Sequence, residues 1–228
     1  MDLTPMLDHL AQLEWNNNRE WFRAHAKERK EARADFEGLV FGMMMGLAQE
    51  QPGILDFRPS TLTYSLVRDP RRPHEEGPYH SAMRATVGPW GRTPIPVSHF
   101  LRVQPGGRSF IGGGLFARCF NDATRMVRDR IVAEAEVWEE IVTAPEFVRC
   151  FGEIYGEKLK RNPMGYDPNH PHIEYLKHKN WYVICPLPDE LFTDSNVLLD
   201  RILEACYAMR PMNDFLNAAM KGFKMPEW

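Results

Sequence analysis

Apolar residues recur with a helical period along the first fifty positions of the chain. Thr4 followed by Pro5 reads as a cap and a first helical residue, opening a helix that runs to about Glu14. A second stretch starts near Asn18. Phe22, Ala26, Ala32, Phe36, Leu39, Val40, Met43 and Leu47 hold the 3.6-residue spacing to about Gln49, with a bend or break expected near the start and Pro52-Gly53 to stop it. From Thr61 the texture changes. Residues 61–67, 82–88, 97–104 and 109–117 are rich in β-branched and aromatic side chains, are bounded by Pro and Gly, and read as strands. Pro105 and Gly106 suit the two central positions of a type II turn, which predicts an antiparallel hairpin from the last two. Helices are expected from Asn121, as cap, to about Val142 and from Pro145 to about Tyr155. "WYVICP" (181–186) reads as one more strand of the same sheet, and the helical pattern resumes at about Ser195. Pro211 should split this last helix, with Arg210 held out of the helical region by the following ring.

The pattern predicts one α+β domain, an antiparallel, curved sheet packed against several helices. Its helical N-terminal part spans about 4–50, its sheet-rich middle about 61–117 plus strand 181–186, and its helical C-terminal part about 195–222.

Composition narrows the function classes. In 228 residues, 43% are hydrophobic and the formal net charge is −3, so nothing draws the whole chain toward nucleic acid or an anionic membrane. The four cysteines, Cys119, Cys150, Cys185 and Cys206, form no C-x-x-C pair, which argues against a disulfide framework or zinc ribbon and fits a reducing cytosol. "MDLTPMLDHL" has no apolar signal-peptide core, and the longest apolar run, 39–48, is too short for a bilayer. A cytoplasmic protein is expected.

"SLVRDPRRPHEEGPYHSAMRA" (65–85) is the tract richest in candidate chemistry. Arg68, Arg71 and Arg72 bracket Asp69 after an apolar strand, and Tyr79, His80 and Arg84 lead into the next. Arginine forks match carboxylate and phosphate oxygens in bidentate geometry, so such a cluster can clamp an anion. Asp69 is placed to orient a guanidinium or to hold the tautomer of His80. The competing reading is a solvated loop in which Glu75 and Glu76 neutralise the arginines. Arg84 and Arg102 both fall inside expected strands, where a charge needs solvent, a partner or a wet pocket.

"GYDPNHPHIEYLKHKNWY" (165–182) gathers His170, His172, Glu174 and His178. Pro171 fits a first helical position with His170 as the extended residue before it. Glu174 then lies in the first turn and Lys177, His178 and Lys179 crowd the last, the charge order a helix dipole favours. Glu174 and His178 share a face at i,i+4, but His170 and His172 point elsewhere, and there is no H-E-x-x-H. No metal is expected. His170 remains a candidate ligand-binding residue, and His172, with His80 and Asp69, a candidate for proton transfer. Gly112–Gly114 interrupt an otherwise regular strand, either as a bulge that breaks pairing or as a close approach of another backbone or a ligand. They lack the register of a nucleotide loop, and no cysteine or serine carries a nucleophile motif. No cofactor is implied.

Several of these stretches resemble, in combination, one family. "NNNREWF" (16–22), the R-D-P-R…P-Y of 68–79, "PGGRSFIGGGLF" (105–116), "LKRNPMGYDPNHPHIEYLKHKNWYV" (159–183) and "PMNDFL" (211–216) are similar to a bacterial family of conserved uncharacterised proteins, domain of unknown function 2461. The resemblance covers nearly the whole chain and implies a single cytoplasmic domain, with no established activity to carry over. Relatives continue the R-D-x-R with a lysine-rich F-S-K-D-K-x-P-Y-K. Here Arg72-Pro73-His74-Glu75-Glu76 replaces the middle and His80 the last lysine. In "NNNREWF", Asn17 or Asn18 is a good helix cap with Trp21 and Phe22 as anchors, or else Arg19 and Glu20 rim a pocket.

Two function classes follow. One is a binder of, or enzyme for, a small anion, using Arg68, Arg71, Tyr79, Arg84, Arg102 and His170. The other is a protein-interaction or accessory module whose exposed aromatics, Trp15, Trp90 and Trp228, mark a partner surface. The sequence leaves oligomeric state open.

Overall fold

The computed structural model describes residues 1–71, 75–116 and 120–226. Expectations placed on Arg72, His74, Ala117, Cys119 and Trp228 lie outside the described residues. The protein is α+β, with an antiparallel sheet in the order β1 (Met83–Val87), β2 (His99–Val103), β3 (Ser109–Leu115), β4 (Trp181–Leu187). The expected hairpin of β2 and β3 is present, and Gly106 takes φ +79 in its turn. Helices are α1 (Thr4–Trp15), α2 (Arg19–Ala24), α3 (Ala26–Leu47), α4 (Pro59–Leu62), α5 (Asn121–Ala133), α6 (Ala135–Thr143), α7 (Pro145–Phe151), α8 (Ile173–Leu176) and α9 (Ser195–Ala219). Among the described residues, no helix is long and apolar enough to cross a membrane.

The chain divides into two compact units. The first comprises Met1–Arg92, Phe100–Ile111 and Pro186–Glu204; the second comprises Thr93–His99, Gly112–Cys185 and the chain from Ala205 onward. In the first unit α1 packs on α3, and Leu10, Leu13, Phe36, Val40 and Met43 are buried at the spacing their sequence pattern predicts. The long helical stretch is broken at His25, as expected near its start, and Asn18 caps α2 by accepting from the Trp21 N–H at 2.9 Å. In the second unit Trp138, fully buried, packs edge-on against Tyr175 and beside Phe215.

Local signals misplaced several boundaries. Thr4 is the first residue of α1, not its cap; Leu3 holds the cap position, and Asp2 Oδ1 accepts from the Thr4 N–H at 2.8 Å. Asn121 likewise opens α5 behind Phe120, and the 121–142 stretch breaks at Glu134. The strand expected at 61–67 is α4 followed by isolated bridges, Thr63 to Ala85 and Val67 to Tyr79. Hydroxyl groups divert it. Thr61 and Thr63 donate to the carbonyls of Arg58 and Ser60, and the Val67 N–H donates to Ser65 Oγ. Pro211 does not split the last helix, because α9 runs through it. The proline faces solvent, while Met209, Met212, Phe215 and Leu216 are buried around it. Burial of about 1.5–3 kcal/mol per large apolar side chain offsets a proline cost of about 3 kcal/mol.

The triple glycine does not break pairing; all three residues lie within β3. Their reason is close approach. A Cβ on Gly112 would sit 2.5 Å from the Val183 carbonyl oxygen, and one on Gly114, where φ is +104, would sit 2.4 Å from that of Trp181. Both obstacles are backbone, which cannot step aside. Gly112→Ala and Gly114→Ala should each lower the unfolding free energy by about 2–4 kcal/mol in urea titrations. Gly38→Ala, in the open on α3, should instead stabilise by up to about 1 kcal/mol.

Candidate functional site

Alternation along two strands places two arginines on one face. Arg84 lies between the buried Met83 and Ala85 of β1, and Arg102 between the buried Leu101 and Val103 of β2, so both guanidiniums emerge on the half-exposed side of the sheet. Arg84 donates to the Ser65 carbonyl at 3.2 Å and stands 5.6 Å from the Tyr64 ring centre. Arg102 donates to Gln104 Oε1 and stands 6.0 Å from the Phe110 ring centre. Each keeps a buried Nε without a hydrogen-bond partner among the described residues. Burial, then the charge of Arg102 and of Arg68, pulls the Arg84 pKa down; burial and then Arg108 do the same to Arg102, with Glu76 opposing.

Two further arginines join them. Arg68 donates through Nε to the Tyr79 carbonyl at 3.0 Å and through its terminal nitrogen to Glu76. Arg108, at the hairpin, holds Glu14 of α1 in a bidentate pair of 2.9 and 2.5 Å. That bond holds the Glu14 carboxyl below its ordinary range and raises Arg108. Asn17 closes the arrangement. Its Nδ2 donates to the carbonyls of Glu76 (2.7 Å) and Tyr79 (2.8 Å), and its Oδ1 accepts from the Tyr79 N–H at 3.0 Å. The fit is close enough that Gly77, at φ +90, has no room for a side chain: a Cβ would lie 2.7 Å from the Asn17 carbonyl oxygen. Together these groups line a cavity of about 480 Å³, bounded by Glu14, Asn17, Arg68, Glu76, His80, Ser81, Arg84, Arg102, Gln104 and Arg108, all in the first unit.

Of the residues singled out from sequence, the structure brings Arg68, His80, Arg84 and Arg102 into this cavity. It leaves the others elsewhere. Arg71 folds back onto Asp69, with Nε and its terminal nitrogen each 2.9 Å from a carboxylate oxygen, and its side chain is 87% exposed. Two residues of separation let this pair close locally, so both charges are spent on the surface. Tyr79 gives its backbone, while its ring is buried and stacked 3.6 Å from that of Phe22. Trp21 and Phe22 are half-buried, Trp21 with its ring 5.6 Å from that of the buried His9 and Phe22 on Tyr79, and Arg19 and Glu20 do not line the cavity. Asn17, Glu14, Gln104 and Arg108 were not recognised as site residues. The signal for Arg108 was its place in "PGGRSF", next to the turn that presents it.

The histidine-rich stretch serves the second unit. The helix is shorter than its charge order suggested, with His172 at the cap of α8 and Pro171 before it. His170 Nδ1 accepts from the His172 N–H at 3.1 Å. His172 donates through Nε2 to the Ala135 carbonyl at 3.0 Å, and its Nδ1 lies 3.4 Å from Glu139. Glu174 pairs with Lys177 at 2.5 Å and not with His178. His178 lies beyond the helix, 1% exposed, donating to the Asn180 carbonyl at 3.2 Å. Among the described residues no three His, Cys, Asp or Glu side chains group to hold a metal.

The fold and site define an α+β protein with an arginine-lined pocket. A family model described as conserved hypothetical protein, domain of unknown function 2461, matches residues 5–215, and the chain belongs to that family. Comparison with curated proteins and with solved structures gave no match.

Asn17→Ala should cost about 1–3 kcal/mol and speed amide exchange over Glu76–His80, read by hydrogen-exchange mass spectrometry, because three bonds to that loop are lost at once. The second expectation concerns His178. Burial first, and then the charges of Lys158 and Arg128, depress its pKa from 6.5 to about 4. The folded state therefore prefers the neutral ring. Its contribution is complete above about 6.5 and is lost as pH falls toward about 4. Melting curves across that range should show a steeper acid loss for the wild type than for His178→Gln.

Proposed function

We propose that the protein recognises a small anion, phosphate- or carboxylate-bearing, in this cavity. The observation that carries the reading is the convergence of Arg68, Arg84, Arg102 and Arg108 on one cavity that holds two carboxylates, Glu14 and Glu76. Half-buried like charges raise the free energy of the fold, and an anion that neutralises them lowers it. Of the three candidates for proton transfer, His80, His172 and Asp69, His80 is the one that lines the cavity, and any reaction on the bound anion would draw on it. A cytoplasmic setting suits the buried thiols of Cys150, Cys185 and Cys206. The net charge of −3 supports a small-molecule ligand over nucleic acid. Trp15 is 88% and Trp90 44% exposed, yet exposed aromatics of this kind need no partner to explain them.

The test is a thermal-shift series with phosphate and sulfate against chloride at matched ionic strength. Saturating phosphate should raise the wild-type melting temperature by about 5–10 °C, the shift that about 2.7 kcal/mol of linkage at a hundredfold excess over Kd gives in a chain of this size. Arg84→Ala and Arg102→Ala should lose most of that shift. Identical responses in all three proteins would reduce the effect to general salt and end the anion reading.

A further inference from the structure

We infer that the ligand of this pocket is a dianion of the phosphate monoester class, as opposed to a monoanion such as a carboxylate or a phosphodiester; the inference rests on the anion reading of the same cavity. The four guanidiniums are not equivalent. Arg108 is matched by Glu14 through two parallel bonds, and Arg68 by Glu76. Arg84 and Arg102 have neutral acceptors instead, the Ser65 carbonyl and the Gln104 side-chain oxygen. Among the described residues no carboxylate forms an ion pair with either, although Glu76 lies close enough to act on Arg102 through space. The lining therefore carries two positive charges in excess, and both sit on Arg84 and Arg102.

A monoanion would match one of them and leave the other half-buried against a like charge. A phosphate monoester carries close to two negative charges above its second ionisation near pH 6, and its three terminal oxygens can accept from two forks at once. The forks are held for this. The Ser65 carbonyl and Gln104 Oε1 already orient the two guanidiniums, with the Tyr64 and Phe110 ring centres 5.6 and 6.0 Å away, so part of their side-chain freedom is lost before an anion arrives. Arg84 and Arg102 each retain a buried Nε–H that no acceptor among the described residues engages. Size points the same way. At about 480 Å³ the cavity falls in the range of sites for organic ligands, with room for the alcohol that the phosphate esterifies.

The glutamates take a defined part in this picture. Glu76, with 78% of its side chain exposed, is the outer counter-ion of Arg68, and its removal adds one more unmatched guanidinium to the cavity. The test is titration calorimetry with methyl phosphate, dimethyl phosphate and acetate at constant ionic strength, well above the second phosphate ionisation. Methyl phosphate should bind about tenfold or more tighter than the two monoanions, the factor that ~1.4 kcal/mol gives. Arg84→Gln and Arg102→Gln, each checked for native folding by circular dichroism, should bring the three probes within about twofold of one another. Glu76→Gln should tighten methyl phosphate further. Equal affinity of the wild type for all three probes, or weaker methyl phosphate binding by Glu76→Gln, would overturn the dianion inference and leave anion binding in place. Absence of binding by every probe would overturn the anion reading itself.

Discussion

One side-chain amide sets the geometry on which the candidate site depends. Asn17 spends both of its polar atoms on the backbone of the Glu76–Tyr79 segment, tying the corner between α1 and α2 to a loop that also pairs with Leu66–Arg68. The Tyr79 carbonyl is shared, since it also receives Arg68 Nε. That sharing orients the Arg68 fork toward Glu76 and the cavity. The glycine at position 77 is a consequence of the same contact, because the loop passes too near Asn17 for any side chain there. A short asparagine run thus divides its work: Asn18 starts a helix and its neighbour closes a pocket.

Electrostatics then gives the pocket its character. A guanidinium in the middle of a strand is tolerated when its stem packs along the sheet and its head reaches a polar partner. Arg84 and Arg102 do this against Tyr64 and Phe110, at the cost of standing near each other and near Arg68 and Arg108. The two glutamates on the lining relieve Arg68 and Arg108, while among the described residues Arg84 and Arg102 form no ion pair with a carboxylate. Such uneven neutralisation is the feature on which the proposed anion site rests.

Charge-bearing tracts that looked alike in the sequence separate once their partners are known. Asp69 and Arg71 satisfy each other within one turn and remain on the surface. The histidines of 170–178 are taken up by structural bonds in the second unit, His172 to the Ala135 carbonyl and His178 to that of Asn180. Burial of His178 removes its charge over the range in which an exposed imidazole would titrate. Density of functional residue types is an uneven guide to a site: the 65–85 tract supplies Arg68, His80 and Arg84 to the cavity, while short-range pairing uses up Asp69 and Arg71 and the 170–178 tract serves the fold.

What the sequence determined by itself was set by interactions within a few residues. Helical periodicity marked α3 and its buried face, turn chemistry marked the β2–β3 hairpin, and the strand period put Arg84 and Arg102 on one side of their strands. The combination of motifs also identified the family. Tertiary structure decided what depends on partners distant in the chain. Glu14 meets Arg108 across 94 residues and Asn17 meets Tyr79 across 62, and no local pattern encodes either choice. The same holds where packing overrides propensity. The face of α9 that carries Met209, Met212 and Leu216 keeps the helix whole through Pro211. Close passage of β4 beside β3 makes the glycines at 112 and 114 obligatory within the strand, and the positive φ of Gly114 adds to the requirement there. Local free energies are a few tenths to a few kcal/mol per residue, and burial against a distant element is of the same size or larger, so the fold settles whatever the chain alone leaves nearly balanced.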